Sequence, residues 1–454
     1  MGPDVHVVVT AEGQRGVAEA ALEFLKAGGD ATGQIVYKTA QVDPRAMTVG
    51  FTADVGAGLT LVDEDGWDWQ CGNAVCRSLL AGDEAVTVRL VNSEGSGSVG
   101  RVGVLRTTNA SVQAGMAVLG PLIVQYLNGA RISGPPPGGA PEASVPIRAA
   151  DRRGAWRFAG RLLRASVTVR NWQVARLPGS IDDVVAHRLP PVRMVWQGPR
   201  RRAFWADPCV VADNAEEWVF IEELGRRSGV GVIRAARYDG HGLVTQQVVL
   251  ATAHHLSYPQ IYKVGDRWLA TVETCAATNP VYTFDRLGGV WRPATDLPAM
   301  PPHLADAVLH FDSDGNPVAA SGTDARVNGD AVFVRYHWDG QAWSRDDPSV
   351  YVDVRRGRGG GTDDSMRGLR AVQDCAGTYG RATSLLEDDL TPVVVITARD
   401  VPPSADRRRR QGVHTLTWTS DGSVVWCDGW LRRFTPLGGF WRLRERRHSQ
   451  VCDG

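Results

Sequence analysis

The chain has 454 residues, 43% of them hydrophobic, and its 50 basic and 50 acidic side chains leave a formal net charge of +0 at pH 7. Two domains with packed cores are expected at this length. A balanced charge provides no field to hold nucleic acid or an anionic membrane, and no run of about eighteen apolar residues marks a membrane span.

The opening, MGPDVHVVVTAEGQRG, lacks the basic and apolar regions of a secretory leader, so a cytoplasmic chain is expected. Lys26, Lys38 and Lys263 are the only lysines, an arginine bias that suggests a bacterial, GC-rich source. The basic run Arg407 to Arg410 reads as a solvated loop. Seven cysteines are scattered without CxxC spacing, so neither a disulfide framework nor a zinc cage is indicated. No metal and no cofactor is expected.

In chain order, Val5 to Val9 reads as a strand, and Gly16 to Ala27 as a helix with Ala21, Leu22, Phe24 and Leu25 on one face. Strands follow at 86–91 and 99–105, separated by the loop SEGSGS. The segment SGPPPGGAP at 133–141 sustains neither helix nor sheet, because its prolines lack amide donors. We therefore expect an α/β domain over 1–132, a linker over 133–164 and a β-rich domain over 165–454.

Beyond residue 165 short tryptophan-containing runs alternate with Asp-Gly turns at 239–240, 314–315, 339–340 and 421–422. A strand–turn–strand plan recurs at 205–224, 255–274, 304–321, 369–386 and 412–429. Antiparallel repeats of this length indicate propeller blades. The expected fold is mainly β: a five-bladed β-propeller preceded by a small α/β domain, with Trp218, Trp268, Trp338 and Trp418 in the blade cores.

Equivalent positions on inner strands converge on a propeller's channel, and Asp207, Tyr258, Asp306, Asp374 and His414 stand at corresponding places in the five repeats. Asp207 is the best base candidate, Glu273 the best acid and Asp306 a tuner of pKa or substrate orientation. Arg370, Gln373, Asp374 and Tyr379 are read as one polar cluster suited to sugar hydroxyls, carboxylates or phosphates. His255 is a further imidazole candidate, although a buried histidine satisfied by a carbonyl is the commoner state of such a residue. Glu222 and Glu223, being adjacent on a strand, point to opposite faces and do not act as a pair.

The stretches ADP with WVFIEEL, HLSYPQIY with VET, RAVQDCAGTYG, and GVHTL resemble the propeller at the N-terminus of glucosamine inositolphosphorylceramide transferases. That family is related in fold to five-bladed glycoside hydrolases. The chain departs from it at Asp306-Ala307, where a second Asp-Pro is usual, and transfer, which that family associates with a separate domain, is not expected from the resemblance. The resemblance implies a glycan-related scaffold.

CGNAVCR at 71–77 followed by VTVRLVNSEGSGSV resembles one half of the diaminopimelate-epimerase-like isomerases, where a cysteine at a helix N-terminus abstracts a proton. By that resemblance Cys71 is an alternative catalytic residue. The expected function is action on a sugar or sugar-containing small molecule by glycoside hydrolase-like acid/base chemistry, in bacterial specialised-metabolite or glycoconjugate biosynthesis. The N-terminal domain would then be a lid or a homodimer contact. The alternatives are a non-catalytic glycan-binding or scaffolding propeller and a cysteine-dependent proton-transfer isomerase.

Overall fold

In a computed structural model the described residues are 4–9, 15–28, 32–37, 47–50, 59–63, 69, 78, 83–92, 94–103, 108–129, 168–199, 203–226, 228–274, 278–328, 330–387, 391–404 and 410–434. They fall into two compact units. The first comprises 1–159, 323–357 and 376–378; the second comprises 160–322, 358–375 and 379–454. The units are interleaved in sequence, which a single linear boundary does not anticipate. The Pro/Gly-rich segment 133–141 lies outside the described residues.

The first unit opens with β1 (Asp4–Val9), α1 (Arg15–Gly28), β2 (Thr32–Tyr37), β3 (Met47–Gly50), β4 (Leu59–Asp63), β5 (Ala85–Val91) and β6 (Gly97–Gly103). One sheet runs β2-β1-β3-β4-β5-β6. The first four strands in that order are mutually parallel, and β5 and β6 are antiparallel. Val5, Val7, Val49, Leu61, Val88 and Leu90 are fully buried. Helix α1 buries the expected Ala21, Leu22, Phe24 and Leu25 face.

Helices α2 (Thr108–Ala117) and α3 (Leu119–Leu127) follow. A Cβ on Gly120 of α3 would lie 3.0 Å from the Phe24 Cβ, so this glycine permits the close approach of α1 and α3.

The second unit begins with β7 (Thr168–Arg176) and the short helix α4 (Ile181–Val185). Next come β8 (Ala203–Asp213), β9 (Glu216–Gly225), β10 (Gly231–Tyr238) and β11 (Leu243–Leu250), a four-stranded antiparallel sheet. A second such sheet is built from β12 (Leu256–Val264), β13 (Arg267–Thr274), β14 (Tyr282–Phe284) and β15 (Arg292–Pro293). Then β16 (Leu304–Phe311) and β17 (Pro317–Asp324) follow.

The last residues of β17, with α5 (Ala325–Asn328), β18 (Val332–Trp338), β19 (Trp343–Arg345) and β20 (Tyr351–Val352), belong to the first unit. The second unit resumes with β21 (Arg358–Asp364), β22 (Leu369–Asp374), β23 (Ala382–Glu387), β24 (Pro392–Thr397), β25 (Leu416–Trp418) and β26 (Val425–Phe434).

Two features define the second unit. Its first strand, β7, pairs over its whole length with the last, β26, so the two ends of the domain close one sheet. The leading strands also touch in cyclic order, β8 to β12, β12 to β16, β16 to β21, β21 to β25, and β25 back to β8. Sheets set around a ring of leading strands make a β-propeller, and the chain is mainly β, as expected.

The four Asp-Gly turns also match expectation: Gly240, Gly315, Gly340 and Gly422 all have positive φ, from 73° to 95°. Trp218, Trp268 and Trp418 are buried, whereas Trp338 is half-buried and packs on Trp343.

The fourth repeat differs from its sequence reading. The window 369–386 holds β22 and β23, the second and third strands of its sheet, and the leading strand is β21. Its sequence, RGGGTDD, has no apolar alternation. The glycines answer to crowding. A Cβ on Gly361, whose φ is 132°, would lie 1.8 Å from the Leu416 carbonyl oxygen, and one on Gly359 would lie 2.5 Å from that of Asp306.

Candidate functional site

At one end of the ring, three leading strands carry the same irregularity. Asp207, Tyr258 and Asp306 have φ of 49°, 48° and 46°, a left-handed conformation that costs roughly 1–2 kcal/mol for such residues. In β8 and β12 the ladder shifts register at this point. The bulge releases the Asp207 and Tyr258 amides from the ladder, free to bond outside their own sheet. Opposite the residue just before each bulge stands a glutamate of the second strand: Glu222 faces Ala206, and Glu273 faces Ser257.

The strained amides are satisfied by carboxylates. The Asp207 amide donates to Asp428 Oδ2 at 3.1 Å, the Tyr258 amide to Asp207 Oδ2 at 3.3 Å, and the Asp306 amide to Glu273 Oε2 at 3.2 Å. These carboxylates therefore fasten one sheet to the next.

Around Asp207 the site is dense. His414 Nε2 lies 3.2 Å from Asp207 Oδ1, and its Nδ1 lies 2.5 Å from Asp428 Oδ2. The Thr415 hydroxyl donates to Asp207 Oδ1 at 2.9 Å. Asp428 Oδ1 also accepts the amides of His414 and Thr415, at 3.1 and 2.9 Å. Burial disfavours the charged imidazole, but Asp428 and Asp207 outweigh it and raise the His414 pKa above its ordinary 6.5.

Asp207, His414 and Asp428 bring ligand atoms within 4.8 Å of one another and could be read as a metal set. The three amides and the imidazole already directed at Asp428 fit a hydrogen-bonded anion better than a metal ligand.

The second focus is Arg358. Its guanidinium contacts Asp306 directly, lies 3.7 Å from Glu273 Oε2 and covers the Tyr379 ring at 5.1 Å. Gln373 donates to Asp306 Oδ2 and to the Gly359 carbonyl. Burial and the neighbouring Glu273 push the Asp306 carboxyl well up despite Arg358. Burial also acts to raise Glu273, but Arg358 and the hydrogen bonds from Asp306 prevail and hold it below the ordinary carboxylate range. Glu273 is the more open of the two, its side chain 24% exposed against 3% for Asp306.

The structure thus brings Asp207, Tyr258, Glu273, Asp306, Gln373, Tyr379 and His414 to one end of the ring. Tyr258 links β12 to β21, its hydroxyl exchanging hydrogen bonds with the Gly361 carbonyl and amide.

Four expectations change. Asp374 sits at the end of the second strand β22 beside Arg381, so Gly361 rather than Asp374 occupies the leading strand at this level. Arg370 lies four residues back along β22, opposite Asp363, so it does not share a cluster with Gln373 and Tyr379. His255 is half-buried, and its Nδ1 accepts the Gly231 amide at 3.0 Å, a bond to an amide donor where a carbonyl acceptor was expected. Arg410 is buried, bonded to Gln173 and stacked on Trp196 at 4.4 Å, and is not solvated. Cys71 lies outside the described residues.

Sequence reasoning missed Glu222, Arg358 and Asp428. Glu222 shares its register with Glu273, which was a usable signal. Arg358 was hidden in a glycine-rich run, and Asp428-Gly429 imitates a turn although it lies inside β26.

No protein-family model and no curated protein matches the chain. Among solved structures it is similar to the catalytic domain of a Coprinopsis cinerea GH62 α-L-arabinofuranosidase. That match has 11% identity and a TM-score of 0.35, and it covers 56% of this chain and 97% of the other. It is also similar to an exo-β-1,3-galactanase from Clostridium thermocellum, with 10% identity, 50% and 58% coverage, and a TM-score of 0.34. A Podospora anserina α-L-arabinofuranosidase in complex with cellotriose matches at 9% identity, 53% and 95% coverage, and a TM-score of 0.31. Likeness at this level assigns no activity to the chain. Among the described residues no helix is long and apolar enough to cross a membrane.

Proposed function

We propose that the second unit is a five-bladed propeller whose channel mouth acts on a sugar or sugar-containing small molecule by acid/base chemistry. The observation that carries this reading is the divergence of two carboxyls around one arginine: Glu273 is held below the ordinary carboxylate range and Asp306 is pushed well above it. Paired titratable groups whose environments push their pKa values apart are suited to acid and base roles at one pH.

Asp207 serves as base: burial and the nearby Asp428 raise its carboxyl and so its basicity, while the His414 cation and the Thr415 hydroxyl act toward the carboxylate form. Glu273, without a proton in the ligand-free site, hands one to a leaving oxygen only after receiving it from Asp306. In the ligand-free site that proton resides on Asp306, and Glu273 is the exposed member of the pair. Arg358 and Gln373 fix the pair's geometry.

The contrary reading, a non-catalytic glycan-binding propeller, is favoured by one observation: Asp207, Glu273 and Asp428 each accept a neighbouring strand's amide and so have structural work. Turnover of a panel of aryl pentosides and hexosides separates the two. An enzyme loses kcat by about 10²–10⁴ in Glu273→Gln with a modest change in KM. A binding module turns over none of them.

A further inference from the structure

Glu222 has no place in the roles just described, yet it is the closest carboxyl neighbour of the candidate base within its own sheet. It projects from β9 opposite Ala206, is only 6% exposed, and makes a side-chain hydrogen bond with Asp207, itself 6% exposed. Two buried carboxyls in hydrogen-bond contact cannot both be ionised, because the bond itself needs a proton on one of them.

We propose that Asp207 and Glu222 form a one-proton carboxyl pair in which Glu222 carries the proton and His255 is the residue that positions it. The division of the proton follows from the surroundings of each group. Asp207 accepts the Tyr258 amide and the Thr415 hydroxyl, and it faces the His414 imidazole; all three favour its carboxylate form. Glu222 has the imidazole of His255 at 3.5 Å. Because His255 Nδ1 accepts the Gly231 amide, the ring's proton sits on Nε2, directed at Glu222 Oε1. That oxygen then acts as acceptor, leaving the other to carry the proton toward Asp207.

Burial, followed by the charge and hydrogen bond of Asp207 and the charges of Glu273 and Asp428, raises the Glu222 carboxyl well above its ordinary value. The one proton is conserved: when Asp207 takes a proton from a reacting group, Glu222 keeps its own, so Asp207 remains the sole acceptor. Glu222 sets the basicity of Asp207 and is not assigned contact with substrate.

The proposal deepens the acid/base reading and takes its purpose from it. Its test is spectroscopic and needs no turnover, so the failure of either is recognised separately. Infrared spectra of the full chain at neutral pH are expected to show the carbonyl stretch of protonated carboxyls, with contributions from Glu222 and Asp306. Glu222→Gln, an isosteric mimic of the protonated acid, should remove about half of that band, and Asp306→Asn the rest. An unchanged band in Glu222→Gln overturns the proposal. In the wild type, which avoids any folding defect of a variant, the ¹⁵N spectrum of His255 should show the proton on Nε2. A ring protonated on Nδ1 overturns the positioning of Glu222.

Discussion

Replacing Asp428 by asparagine probes the closure of the ring, since β26 carries Asp428 and joins β25 to β7, the first strand of the unit. An asparagine carbonyl in place of Oδ1 keeps the His414 and Thr415 amides. The amide nitrogen in place of Oδ2 then faces the Asp207 N–H and His414 Nδ1, where the carboxylate had accepted both. One N–H is left unsatisfied, at about 1–3 kcal/mol. A fully buried charge pair is also broken, at about 3–5 kcal/mol. The two overlap, so a loss of about 3–5 kcal/mol is expected near neutral pH.

The loss should depend on pH. His414 has a raised pKa in the folded chain, so its contribution is complete below the unfolded value of 6.5 and is lost as pH rises through the folded one. Once neutral, its Nδ1 can accept from the new amide, and the gap between wild type and variant narrows. Urea unfolding followed by tryptophan fluorescence, at about pH 6 and about pH 9, measures both gaps. Trp172, centred 4.3 Å from the His414 ring, is a local reporter. An equal gap at the two pH values, or one under about 1 kcal/mol, would refute the assignment of a charged imidazole to this site.

Arg358→Met removes the cation that Glu273 and Asp306 share. Urea unfolding at pH 7 should show a loss of about 1–3 kcal/mol, less than the about 3–5 kcal/mol of a fully buried pair because Glu273 is partly exposed. Glu273 has a lowered folded pKa, so this contribution is present above 4.5 and fades as pH falls through the folded value; a deficit that grows in acid contradicts it. Gly361→Ala forces a Cβ to within 1.8 Å of a carbonyl oxygen at a φ of 132°. The expected cost of more than about 3 kcal/mol should appear as failure to accumulate soluble protein or as an early urea midpoint, and normal stability would show the strand to be misplaced.

Much of the fold is legible in the sequence because its local chemistry and tertiary role agree. The helical face of α1, the Asp-Gly turns and the paired strands at 205–224 and 255–274 each obey a local rule that the structure keeps. The reading fails where tertiary crowding replaces local pattern. Strand β21 is built from glycines because Asp306 and Leu416 backbone leave no room for side chains, so it resembles a loop and shifts the fourth repeat by one strand. The same shift placed Asp374 on the ring and Arg370 in the cluster.

The interleaving of the two units leaves no local trace either, since residues 323–357 continue the strand-rich texture of their neighbours. Within the site, the bulged residues Asp207, Tyr258 and Asp306 were found from their repeated context. Arg358 was not, because a cation's partners depend on a register that the glycines conceal.

The most direct test of the central claim is where a sugar binds. Crystals of the wild-type chain can be soaked with slowly cleaved thio-linked oligosaccharides of pentoses or hexoses, which need no variant of the site. The account predicts density at the channel mouth, with sugar hydroxyls in hydrogen-bond reach of Glu273 and Arg358. Density confined to the surface cleft lined by Gln197, Trp205, Glu223, Arg234 and Gln246, with the mouth left to water, would contradict it.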